Sequence, residues 1–91
     1  GKLQQSPKER MLIDVREPGE FQSGHIPGAV NIPLSRLKEQ LHQIPKDTEV
    51  LLYCRSGMRS KQAAKILAKA GYRNLFHLAG GIAAWTGRIN K

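Results

Sequence analysis

A chain of 91 residues has enough apolar surface for one core and not for two. With 40% hydrophobic and 24% charged residues it has the balance of a soluble globular domain, and no apolar stretch approaches the roughly 20 residues of a membrane-spanning helix. The net charge of +8 asks for an anionic partner, yet aromatics are only 5% and the basic residues are dispersed, which argues against nucleic acid and for small anions drawn in by a positive field.

In chain order, residues 1–10 are polar, without an apolar run of signal-peptide type, and a single domain is expected over 11–91. Four short apolar runs predict strands: MLIDV (11–15), AVNI (29–32), EVLLY (49–53) and NLFHL (74–78). They are near-continuous rather than alternating, which predicts a parallel sheet covered on both faces. A short helix is expected over 17–23. PLSRLKEQLHQI (33–44) puts Leu34, Leu37, Leu41 and Ile44 on one helical stripe that Pro45 stops. RSKQAAKILAKAG (59–71) has Ser60 as N-cap, an inward stripe of Ala63, Ile66, Leu67 and Ala70, and Gly71 as its stop. Lys61, Lys65 and Lys69, four apart, form a solvated face of that helix. GGIAAW (80–85) predicts a short closing helix.

Alternating strands and helices define an α/β fold, a small doubly wound parallel sheet of about four strands flanked by helices. Placing 11–15 and 49–53 side by side in the middle puts the expected ligand site beyond their C-terminal ends. Asp14, Val15 and Arg16 meet the loop after Tyr53 there. That loop reads CRSGMRS and contains the only cysteine of the chain, Cys54. One cysteine excludes an intrachain disulfide and favours a reducing, cytoplasmic setting. A tight strand-to-helix turn aims successive backbone N–H groups inward, Gly57 permits a positive φ, and the positive helix end faces the same hollow. A thiol at the centre ionises readily and becomes an activated nucleophile. The competing reading is an inert core cysteine.

CRSGMRS, together with LIDVREPGEFQSGHIPGAVNIP (12–33) and LAGGIAAW (78–85), resembles the rhodanese-like domains, of the single-domain sulfurtransferase type. The resemblance implies that Cys54 takes a sulfane sulfur from a donor such as thiosulfate, holds it as a persulfide and passes it to a thiophilic acceptor. It also implies a cradle made by the backbone amides of Arg55, Ser56, Gly57, Met58 and Arg59. Either arginine suits the sulfonate end of an anionic donor, Arg59 somewhat better than Arg55, whose alternative is a solvent-facing charge. Cys54 and Arg59 are separated by four residues, whereas cysteine phosphatases use C-x5-R, so the cradle is too small for phosphoryl transfer and lacks an obvious general acid.

The supporting residues carry structural readings as well. Asp14 either orients a loop amide or serves the fold; Arg16 pairs with Glu20 or holds carbonyl groups at the turn into the 17–23 helix. His25 belongs to a turn before the second strand, and Trp85 packs as a lid or core residue behind Gly80 and Gly81. No histidine has a partner at metal-ligand spacing, so neither metal nor organic cofactor is expected. With no second thiol, the persulfide is discharged to an external thiol or protein. The alternative is a sulfur-relay or interaction module of a larger protein, with little turnover on free thiosulfate and a basic surface that docks an acidic partner. Many rhodanese-like domains begin with an additional strand and helix, which the ten residues before Met11 do not resemble.

Overall fold

The computed structural model describes residues 10–78 and 80–85. The polar lead-in before Arg10 and the end of the predicted 11–91 domain lie outside the described residues.

Strand β1 (Arg10–Asp14) and strand β3 (Glu49–Tyr53) lie side by side and parallel, in register from Arg10 against Glu49 to Asp14 against Tyr53. Strand β2 (Val30–Asn31) pairs with the other edge of β1, and β4 (Leu75–His77) with the other edge of β3. The order β2-β1-β3-β4 is that of a parallel sheet wound outward from its centre. The fold is therefore the α/β sheet that the apolar runs predicted, with strand ends shifted by a residue or so. Arg10, expected to precede the domain, is already the first residue of β1.

One sheet face carries the core. Ile13, Val15, Val50 and Leu52 cluster with Ala63 and Leu67 of helix α2 (Met58–Lys69) and with Leu37 and Ile44. Gly71, at φ +103°, ends α2 where its sequence predicts a stop. The other face departs from expectation. Leu12, Leu51 and Phe76 form one row across the strands, with Leu51 37% and Phe76 55% exposed. Helix α1 (Pro18–Ser23) is only six residues long and buries none of its own. Short apolar runs signal a buried strand but not which face is buried.

Residues Leu34–Gln43 form a 3-10 helix rather than an α-helix. Leu34 and Leu37, three apart, stack on a helix with three residues per turn. Continued regularly, that helix would turn Gln40 inward. The backbone instead breaks at Gln40 (φ −115°, ψ 19°), which brings in Leu41 and Ile44, again three apart. The predicted stripe survives by a different winding.

Candidate active site

Cys54 directly follows Tyr53, the last residue of β3, so a rigid central strand sets its position. Residues 55–57 turn, Gly57 adopts φ +103°, and α2 begins at Met58. This corrects the expected helix start at residue 59 or 60. Gly57, not Ser60, is the N-cap, because its left-handed conformation brings the chain into the helix early. Ser60 consequently sits within the first turn, where its amide reaches the cysteine.

The amide of Gly57 donates to Cys54 Sγ at 3.0 Å and that of Ser60 at 3.4 Å. The Ser56 amide also favours the thiolate. The Ser60 hydroxyl lies 3.8 Å from Sγ and donates to the Gly57 carbonyl at 3.0 Å. Met58 and Arg59 occupy helix positions whose N–H groups have no acceptor within the helix. Cys54 is only 1% exposed. Burial pushes its pKa up, but the amides of Ser60, Gly57 and Ser56 together with the Ser60 hydroxyl outweigh that, and the net result lies below the ordinary thiol value. A cysteine in an apolar interior would move the other way. Burial among inward-aimed donors favours the thiolate over the neutral thiol.

The two arginines differ. Arg59 Nη1 and Nη2 grip the Glu20 carboxylate at 2.7 and 3.0 Å, both side chains being about one-third exposed. This pairing, opposed by some burial and aided by the Glu17 amide, drives the Glu20 pKa to about 2. Glu20 also accepts from the Glu17 amide at 3.0 Å, closing a capping box at the start of α1. Arg55 and Ser56 lie exposed on the loop rim, and Met58 is 74% exposed. The expected Arg16–Glu20 pairing is thus replaced by Arg59–Glu20. The E-x-x-E spacing of Glu17 and Glu20 could have shown the capping box, but the reach to residue 59 has no local signal.

Arg16 is held instead by Asp14 and by the Gly24 carbonyl, at 2.6 Å, the latter as its alternative reading expected. Arg16 Nε lies 3.0 Å from both Asp14 oxygens and Nη2 is 2.7 Å from Oδ2, while Oδ1 accepts from the Arg16 amide at 2.8 Å. Asp14 therefore meets its own turn rather than an amide of the cysteine loop. Both residues are buried, with the Arg16 guanidinium 5.7 Å from the centre of the Tyr53 ring. Tyr53, whose hydroxyl accepts from the Ile26 amide at 3.1 Å, is raised by burial to about 12 and stays neutral. His25 stacks on Phe21 with ring centres 3.8 Å apart and bonds the Phe21 carbonyl through Nδ1 at 2.9 Å, a turn-forming role. Trp85 is exposed, which removes the core alternative for it.

A parallel α/β sheet presenting a buried thiol to converging amides, with a guanidinium ion pair alongside, defines a class of small α/β domain with a lone cysteine at the end of a central strand. The Rhodanese-like domain model matches residues 1–88, and the chain belongs to that family. The chain is 49% identical over 82 residues to the Bacillus subtilis protein YqhL, covering 90% of this chain and 65% of that protein. It is 44% identical over 75 residues to a sulfurtransferase of Allochromatium vinosum, covering 82% of this chain and 70% of that one. A rhodanese from E. coli solved with anions superposes with a TM-score of 0.80 at 37% identity, covering 90% of this chain and 98% of that chain. This is therefore a rhodanese-like domain with relatives named as sulfurtransferases. No helix among the described residues is long and apolar enough to cross a membrane.

Proposed function

We propose that the chain is a sulfurtransferase whose covalent carrier is Cys54. The observation that carries this reading is the pair of amides on Sγ, at 3.0 Å for Gly57 and 3.4 Å for Ser60, with the Ser56 amide also favouring the thiolate. With thiosulfate as donor, the Cys54 thiolate attacks the sulfane sulfur, the S–S bond of the donor breaks, and sulfite leaves with the bonding pair. The product is a Cys54 persulfide anion. Cyanide, a thiolate or a protein thiol then attacks the outer sulfur and regenerates the Cys54 thiolate. Charge balances at each step, and no metal or organic cofactor takes part.

The amides of Met58 and Arg59 at the helix start, with those of residues 55–57, supply the negative outer sulfur with donors. Arg55, exposed on the rim, receives the anionic end of the donor. Arg59 contributes a charge largely offset by Glu20. A reducing, cytoplasmic compartment and a single domain over 11–91 suit this chemistry, because the resting thiol must stay free.

The test is intact mass after exposure to thiosulfate. The expected result is a gain of one sulfur atom, removed by cyanide with release of thiocyanate, and absent from Cys54→Ser. A folded protein whose mass stays unchanged across several sulfane donors overturns the assignment.

A further inference from the structure

The closing segment of the domain touches the cysteine loop from behind. Gly81 is buried and adopts φ +65°, ψ −168°, a region essentially confined to glycine. A Cβ there would lie 2.3 Å from the Arg55 carbonyl oxygen, 2.4 Å from its carbon and 2.6 Å from the Cys54 carbonyl oxygen. Immediately after it, the Ile82 amide donates to the Cys54 carbonyl at 2.8 Å, and the Ala83 amide donates to the Arg55 carbonyl at 3.1 Å.

The peptide between Arg55 and Ser56 is trans and planar, so its C=O and N–H point in opposite directions. Drawing the Arg55 carbonyl back towards residue 83 turns the Ser56 N–H forward, on the side of the sulfur, where it favours the thiolate. Drawing back the Cys54 carbonyl does the same for the Arg55 N–H, at the mouth of the loop. We propose that residues 81–83 are a positioning strap: they clamp the Cys54 and Arg55 carbonyls and thereby aim the loop amides at the sulfur, and residue 81 is glycine because any side chain would push the strap away. The strap touches no reacting atom. It acts through the loop, and its role rests on the reading of Cys54 as the nucleophile.

Other charged groups near the thiol are left alone by a change at residue 81. Arg59 of α2 interacts favourably with the thiolate and is itself paired with Glu20 of α1, Arg55 sits on the loop, and Asp14 and Arg16 are paired at the end of β1. A shift in Cys54 ionisation on altering the strap therefore reports the amides.

The experiment titrates Cys54 through the ultraviolet absorbance of its thiolate, with Cys54→Ser as blank, in the unsubstituted chain, in Gly81→Ala, and in a chain carrying a backbone ester at residue 83. The ester, lactic acid in place of alanine, deletes one N–H and changes no side chain. Amide NMR spectra confirm the fold. The expected result is an upward shift of about one unit in Gly81→Ala, a tenfold fall in thiolate at a given pH below the midpoint, with a smaller shift of the same sign in the ester. A folded Gly81→Ala or ester chain that titrates as the unsubstituted chain does overturns the strap; should Gly81→Ala not fold, the ester chain alone decides. If the unsubstituted chain itself titrates like a free cysteine, the nucleophile assignment falls, and the strap with it. An unsubstituted chain with a low value that the variants share refutes the strap alone.

Discussion

Glu20→Gln separates charge from shape at the mouth of the site. Glutamine at this position still accepts from the Glu17 amide, so the capping box that starts α1 is kept, and it still offers Arg59 one oxygen. What disappears is the negative charge that offsets the guanidinium. A unit charge at about 4 Å in water is worth about 1 kcal/mol, so a dianionic donor gains about 2 kcal/mol, which physiological salt reduces to about 1 kcal/mol. In steady-state thiosulfate:cyanide kinetics, KM for thiosulfate should fall about fivefold at physiological salt and about thirtyfold in low salt, with kcat altered by less than about twofold. High salt should erase the gain. An unchanged or higher KM at low ionic strength, in a variant that is fully folded at the assay temperature, refutes this role of Arg59. Arg59 would then not lie on the donor's path, leaving Arg55 as the anion's contact.

Two further predictions concern the frame of the site. Asp14→Ala should cost about 3–5 kcal/mol in urea denaturation, because it strands a buried Arg16 guanidinium; a loss below about 1 kcal/mol would show that Arg16 finds water. Acid should weaken the domain through Glu20. Its contribution is fully present above about pH 4.5 and is lost as pH falls through about 2, amounting to about 1 kcal/mol because both partners of the ion pair are partly exposed; Glu20→Gln should flatten that slope.

The alternation of strands and helices, the central pairing of β1 with β3 and the position of the cysteine were all legible in the sequence. The apolar runs of β1 and β3 are the most buried strands, and a lone cysteine between such a strand and an amphipathic helix has few other places to be. Ser60 shows where local rules stop. Serine is a preferred cap, so its type predicted the cap position, but the left-handed Gly57 captured that role and moved the Ser60 amide to the sulfur. The 3-10 winding of Leu34–Gln43 was hidden similarly, because leucines three or four apart suit either helix until a neighbouring sheet selects one.

Residue order alone determined the sheet, the place of the lone cysteine and the glycine that shapes its loop, since hydrophobic spacing and φ permission act within a few residues of chain. Tertiary structure decided which charges meet. Arg59 chose Glu20, 39 residues away, Arg16 chose Asp14, and residues 81–83 came to rest on the carbonyls of Cys54 and Arg55. Ion pairs and backbone clamps between distant segments depend on directions in space, and those exist only once the core has packed.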